Sequence, residues 1–236
     1  MKLSIIIPVR NEEILIKKII DQLESKLKIP SYEIIFINDF STDNTNEITK
    51  ELIKNKTRIN IYDNNKKGLG GAIAQGIYKS NGEFICIMMS DLSDSIDDLE
   101  KYYDIIKNEN IDAVFGSRFI KGAKLIDYPK KKLILNRIFN IVTKVLFISE
   151  YNDFTNAFKI YKKEALLKTF PLVSESFNIF LELPLKIISR KMKYKIIPIS
   201  WVNRKKGTSK FDIKELRAKY LFTLIYCLLE KILLKK

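Results

Sequence analysis

Residues 4–13 read SIIIPVRNEE, an apolar run that stops at a polar cluster. The same arrangement recurs as EIIFINDFSTD from Glu33, EFICIMMSDLSD from Glu83 and DAVFGSR from Asp112. Short continuous apolar runs of this kind suit strands buried on both faces. Between them apolar residues fall at helical spacing, as at Ile14, Ile16, Ile19, Ile20, Leu23 and Leu27. The reading gives strands at 3–9, 32–37, 59–62, 84–89 and 113–115, and helices at 12–26, 45–53, 70–78 and 96–106. That alternation predicts an α/β fold, a Rossmann-like, mainly parallel sheet flanked by helices. Ligands of such sheets bind beyond the carboxyl ends of the strands, so the four polar clusters are expected to converge on one site.

After Arg118 the pattern changes. A basic loop at 121–132 leads to an amphipathic helix at 133–147 and the turn-rich YNDFTNAF at 151–158. A strand at 158–161, a helix near 177–189, a strand at 194–199 and the polar loop NRKKGTSKF at 203–211 follow, then a last helix from Ile213. Residues 1–211 read as one domain with halves at 1–118 and 119–211, and residues 212–236 as an appended amphipathic helix. Its longest charge-free run, residues 220–229, falls short of the ~20 residues that span a bilayer. It suits a helix lying in a membrane interface, with docking on the core or on a second copy as the alternative.

The 236 residues are 46% hydrophobic and 30% charged, a folded composition. The net charge of +14 is uneven: residues 1–120 carry 16 Lys and Arg against 19 Asp and Glu, whereas residues 121–236 carry 26 against 9. A source-wide bias toward Lys would raise both halves, so the basic half calls for an anionic partner, here an anionic membrane surface. A nucleic acid is the other anionic candidate, but the basic loops lack the interleaved aromatics that stack bases, so no nucleic acid is expected. Cys86 and Cys227 lie in separate apolar runs and give no disulfide framework, and the absence of His removes the usual zinc ligand and neutral-pH base. The chain opens on a core-like strand and not on a leader pattern. It is expected in the cytoplasm, peripherally bound to the cytoplasmic face of a membrane, with oligomerisation left open.

Seven segments in order, SIIIPVRNE, NDFSTDNT, NNKKGLGGAIAQGI, MMSDLSD, GSRF, NDFTNAFKIY and NRKKGTSKF, resemble family 2 glycosyltransferases of the GT-A fold. Within them they resemble the dolichyl-phosphate mannose synthase-like group, which moves a sugar from a nucleotide donor to a polyprenyl phosphate. The resemblance implies an inverting glycosyltransferase using a GDP- or UDP-linked sugar. A hydroxyl or glycan acceptor, or a degenerate non-catalytic membrane-bound member, are the alternatives.

The resemblance also implies roles. Pro8, Arg10, Asn11, Glu12 and Asp39 hold the nucleoside, and Gly68, Gly70 and Gly71 form a Gly-rich loop that admits the donor. The family's metal motif, Asp-x-Asp for Mg²⁺ or Mn²⁺, falls on Met89-Ser90-Asp91, so its first carboxylate is missing. Asp91 is the best ligand, helped by Ser93 or Asp94, although SDLSD would equally cap the following helix through Asp94 or Ser95. The acceptor phosphate falls to Arg118, Lys132 or its neighbour Lys131, Asn136, Arg137, Arg204, Ser209 and Lys210, with Asp91, Arg118 and Arg204 closest to the chemistry. Asp153, Thr155 and Asn156 are expected near the sugar, Asp153 serving as base if the acceptor is a hydroxyl.

Overall fold

The computed structural model describes residues 2–202 and 213–234, with side chains from residue 218 in the second segment. The first half alternates as expected through β1 (Leu3–Val9), α1 (Ile16–Lys26), β2 (Tyr32–Asn38), α2 (Thr45–Ile53), β3 (Ile59–Asp63), α3 (Leu69–Lys79), β4 (Phe84–Ile87), α4 (Ile96–Asn108) and β5 (Ala113–Ser117). The second half adds β6 (Lys124–Ile126), α5 (Lys130–Phe147), β7 (Lys159–Lys162), α6 (Lys163–Lys168), α7 (Ile179–Ser189), β8 (Tyr194–Pro198), β9 (Ser200–Val202) and α8 (Ile213–Leu233). Seven strands form one sheet in the order β3, β2, β1, β4, β7, β5, β8. All are parallel except β7, which runs antiparallel between β4 and β5. Its reversal brings the segment before it, residues 151–158, to the carboxyl ends of both neighbours.

Both faces of the sheet are covered, which explains the unbroken apolar runs. In β1, Ile5 and Ile7 join the core with α1 and α4, while Ile6 joins the one with α3 and α7. Buried Ser4 is satisfied by donating to Glu33 Oε1 at 2.6 Å and accepting the Gly82 N–H at 2.8 Å.

Three differences from the expected elements matter. Helix α1 starts at Ile16, later than residue 12, because the N–H groups of Glu12 and Glu13 donate to Thr45 Oγ1 and Asp43 Oδ2. The expected basic loop holds β6, and residues 200–202, between the expected 194–199 strand and the polar loop, form β9; these three-residue strands pair in parallel and are too short for a readable period. Third, α8 is docked on α7: Thr223 and Cys227 are fully buried, Asn178 Nδ2 donates to Thr223 Oγ1 at 2.9 Å, and Arg190 Nε donates to Glu230 Oε1 at 3.1 Å. The expected boundary at Asp212 lies outside the described residues.

The outer face of α8 still exposes Leu221, Phe222, Ile225 and Leu229, and α5 exposes Ile134, Leu135, Ile138, Ile141 and Val145. The two helices touch, with the Phe139 and Tyr220 rings 5.6 Å apart and Lys231 Nζ donating to Phe147 O at 2.6 Å. Among the described residues, no helix is long and apolar enough to cross a membrane.

Candidate active site

The polar clusters do converge on the carboxyl edge of the sheet. The loops after β1, β2 and β4 each turn through one residue with positive φ, Asn11 (53°), Phe40 (56°) and Leu92 (59°). Non-glycine residues adopt this conformation at a cost of roughly 1–2 kcal/mol, and such strain gathers at functional sites.

On the β1–β2 side, Asn11 and Thr42 clasp the two loops together: Thr42 N–H donates to Asn11 Oδ1 at 2.8 Å and Asn11 Nδ2 to Thr42 Oγ1 at 3.2 Å. Pro8 lies inside β1 opposite Ile37, and Arg10 is exposed just beyond its end. Asp39 is buried, and its Oδ1 accepts the Gly68 N–H at 2.7 Å and Asn64 Nδ2 at 2.8 Å. It thereby ties the end of β2 to the Gly-rich loop. Asn64, which the sequence reading passed over, also donates to Lys66 O at 2.6 Å.

The glycines of that loop answer to a different neighbour than expected. A Cβ on Gly68 would lie 2.4 Å from Glu175 O, and one on Gly70 1.8 Å from Ser174 O. The close approach they permit is thus to the chain's own 174–175 segment, whose Glu175 carbonyl accepts the Gly70 N–H at 3.1 Å.

Beyond β4, Asp91 Oδ1 accepts the Ser93 N–H at 3.0 Å, and Asp94 Oδ2 accepts the Met89 N–H at 3.3 Å. The Asp94 carboxylate therefore returns to the backbone of the residue where the metal motif lacks its acid. The cap of α4 is Ser95, whose Oγ accepts the Asp98 N–H at 3.4 Å, so Asp94 is not needed for capping. Burial, then repulsion from Asp91, pushes the Asp94 carboxyl up to about 7. Strand β9 runs along this loop: Val202 N–H donates to Ser93 O at 3.4 Å, Trp201 bridges to Asp94, and Ser200 N–H donates to Asp98 Oδ2 at 2.7 Å.

Facing the acidic loop is a cationic and aromatic group. Arg118, just beyond β5, donates from Nε to Asp153 Oδ2 at 2.8 Å and from Nη2 to Asp153 Oδ1 at 2.7 Å, and its backbone N–H reaches Asp153 Oδ2 at 2.9 Å. Burial disfavours its charge, but the Asp153 carboxylate outweighs burial and raises its pKa. Its Cζ lies 5.3, 5.7 and 5.9 Å from the ring centroids of Phe119, Tyr128 and Trp201. Lys132, an exposed residue in the first turn of α5, has its pKa lowered by partial desolvation and then by Arg118, while Asp91 opposes the fall. It is thus electrostatically coupled to both. Asn136 links the group together, donating to Tyr128 Oη at 2.9 Å and accepting Thr155 Oγ1 at 2.9 Å, and Arg137 Cζ lies 4.7 Å from the Phe119 ring centroid.

Some expected residues take other roles. Asn156 is buried, and its Nδ2 donates to Gly116 O and Phe158 O at 3.2 and 3.1 Å, so it orders backbone and does not face outward. Both oxygens of Asp153 are engaged by Arg118, which removes it as a base for a hydroxyl acceptor. Ser93 contributes its backbone N–H to Asp91, and its side chain is buried. Arg204, Ser209 and Lys210 lie outside the described residues. Tyr128 and Trp201 were missed: Trp201 is the chain's single tryptophan, but it sits in a three-residue strand with no readable pattern.

The strand ends of the mainly parallel sheet thus gather the Gly-rich loop, the acidic turn of Asp91 and Asp94, and the cations Arg118 and Lys132. The chain belongs to Glycosyl transferase family 2, whose model matches residues 4–170. A dolichol-phosphate mannosyltransferase of Pyrococcus furiosus is 27% identical over 91% of this chain and 60% of that protein. A dolichyl-phosphate beta-glucosyltransferase of Saccharomyces cerevisiae is 27% identical over 84% of this chain and 66% of its own length. The chain thus spans about two thirds or less of these relatives. Glucosyl-3-phosphoglycerate synthase of Mycobacterium tuberculosis, solved with UDP, superposes with a TM-score of 0.73 at 15% identity over 96% of this chain and 80% of that one. The same synthase has also been solved with Mn²⁺, UDP and glucosyl-3-phosphoglycerate. The GT-A fold is shared.

Proposed function

We propose that this chain is an inverting glycosyltransferase moving a sugar from a GDP- or UDP-linked donor to a polyprenyl phosphate at a membrane surface. The observation that carries the reading is the make-up of α5. Its first turn sets Lys132 in the field of Asp91 and Arg118, while the rest of the same helix exposes Ile134, Leu135, Ile138 and Ile141. A phosphate carried on a lipid needs those two environments side by side. The names of the Pyrococcus and yeast relatives support the same acceptor class.

An acceptor phosphate is anionic at pH 7, so its oxygen attacks the sugar's anomeric carbon without a proton being removed. The bond from that carbon to the donor diphosphate breaks, the electron pair leaves with the nucleoside diphosphate, and the configuration inverts. Arg118, Lys132 and Arg137 position the acceptor phosphate. Arg118 is suited to it because Asp153 fixes Nε and Nη2, with Thr155 Oγ1 3.5 Å from Nη2, and Nη1 remains to bond phosphate oxygens. Arg204, Ser209 and Lys210 are assigned to the same task, and Asp39, Gly68 and the 10–12 turn to the donor.

A divalent ion, Mg²⁺ or Mn²⁺, fits the hard oxygens of Asp91 and Asp94, the second standing in for the acid missing at Met89. Among the described residues no group of three or more acidic, Cys or His side chains gathers, so donor phosphates and water complete the ligand set. When bound, such an ion neutralises charge developing on the leaving diphosphate. The exposed faces of α5 and α8, with Lys130, Lys131, Lys144 and Lys219, form the surface that meets anionic lipid on the cytoplasmic face.

The test is incubation of the purified chain with Mn²⁺, a short polyprenyl phosphate and a panel of labelled nucleotide sugars. Label from one donor in the organic-extractable phase is expected. Label transferred only to hydroxyl acceptors would overturn the reading.

A further inference from the structure

Lys159 opens β7, and its side chain is fully buried. Its register partners are Ile87 of β4 and Phe115 of β5, close to the strand ends that carry the acidic loop and Arg118. Nζ donates to Phe154 O at 3.3 Å, to Asn156 O, and to Phe180 O at 3.5 Å, and lies 5.6 Å from the Tyr151 ring centroid. An ammonium has three protons to give, and here they are directed at three backbone carbonyls. Burying an ammonium is costly, and an apolar side chain would fill a core position without that cost. A buried amino group directed at three carbonyls therefore does something other than packing.

The two loop carbonyls it holds flank Thr155, and Phe154 follows Asp153 directly in the chain. The loop's other anchor comes from α5, where Asn140 Oδ1 accepts the Phe154 N–H at 2.6 Å. The sheet, through Lys159, and α5, through Asn140 and Asn136, thus grip residues 153–156 from two sides. Asp153 in turn fixes Arg118.

We propose that Lys159 is a positioning residue for the acceptor subsite: it sets the 153–156 loop, and through Asp153 and Thr155 it orients the Arg118 guanidinium toward an acceptor phosphate. The acceptor part rests on the polyprenyl-phosphate reading; the positioning part does not. The charged groups acting on Lys159 are Asp153, Arg118 and Asp94, and burial is the leading influence on its protonation.

The experiment compares the full-length wild type with Lys159→Met and Lys159→Arg. Circular dichroism first selects the variants that fold, and Lys159→Gln replaces Lys159→Met if that one does not. Hydrogen exchange is then read along the chain, and Trp201 fluorescence is titrated with farnesyl phosphate and separately with UDP and GDP. The expected result in Lys159→Met is exchange at least tenfold faster in residues 116–119 and 151–158, with β1 to β3 unchanged. Farnesyl phosphate affinity should fall at least tenfold, nucleotide affinity should stay within twofold, and Lys159→Arg should recover most of the loss. Unchanged exchange in those two segments would overturn the positioning role, and so would equal weakening of nucleotide and farnesyl phosphate. If the wild type itself ignores farnesyl phosphate, the acceptor reading fails, while the exchange data still decide what Lys159 positions.

Discussion

Arg118 and Asp153 form a buried, two-pronged ion pair, with Nε and Nη2 of the arginine donating to separate carboxylate oxygens at 2.8 and 2.7 Å. The pair fuses the end of β5 to the loop before β7, two segments brought together by the reversed strand. Removing one partner of such a pair leaves a buried charge uncompensated, at about 3–5 kcal/mol. Asp153→Asn should therefore lower unfolding free energy by about that much in urea titrations. A change below about 1 kcal/mol would mean the pair is more hydrated than its geometry implies.

Asp91→Asn should abolish transfer with little effect on stability, because the residue lies at a strand end. Asp94→Asn should weaken Mn²⁺ binding in the presence of nucleotide at least tenfold, read by electron paramagnetic resonance of the bound ion. Met89→Asp in that background should restore part of it by returning an acid to the usual place. Undiminished Mn²⁺ binding in Asp94→Asn would leave Asp91 as the lone carboxylate.

Gly70→Ala would set a methyl 1.8 Å from the Ser174 carbonyl. Overpacking against backbone costs about 1–3 kcal/mol. The Gly-rich loop should shift, and nucleotide affinity should fall along with stability. Wild-type affinity for both UDP and GDP would detach this loop from the donor site.

Membrane binding should be tested by exposed-face substitutions. Cutting off α8 would open the α7 surface that buries Thr223, Leu224 and Cys227, and would confound docking with unfolding. Ile138→Glu and Phe222→Glu leave the core intact and should each reduce co-sedimentation with anionic vesicles several-fold. Unchanged co-sedimentation, together with loss of a dimer in sedimentation equilibrium, would reassign the face to self-association.

Burial lowers the Lys159 pKa from an ordinary 10.5 to about 7. Between those values the unfolded chain binds the proton that the folded chain does not, so stability rises with pH there; the full penalty is present below about 7 and gone above 10.5. Wild type should thus gain stability relative to Lys159→Met as pH is raised from 7 toward 10. Parallel stability curves for the two proteins would show that Lys159 is not shifted.

Much of the fold was legible because both-face burial writes continuous apolar runs and two-layer covering writes helical spacing between them. That Asp39, Asp91 and Arg118 lie along one edge of the sheet followed from the strand ends alone. Other features had no local signal. The direction of β7 depends on pairing across some 70 residues of intervening chain, and β6 and β9 are too short to show a period. Asp94 and Ser95 read equally as caps of α4, and only the tertiary structure gives the role to Ser95. Asp153 and Asn156 read as sugar-proximal from the resemblance of NDFTNAF to the family's motif, and their burial could not be read because it follows from the reversed strand, which folds their loop inward. Lys159 hid in FKIY as an unremarkable strand residue, its burial set wholly by tertiary packing.

The most direct measurement is of the chemical linkage in the product. Phosphorus NMR and mass spectrometry should be applied to material formed from the active nucleotide sugar and a short polyprenyl phosphate by the purified chain. The account predicts a glycosyl phosphodiester with inverted anomeric configuration, absent when Mn²⁺ and Mg²⁺ are chelated. Unmodified polyprenyl phosphate alongside a sugar joined to a hydroxyl acceptor would contradict it.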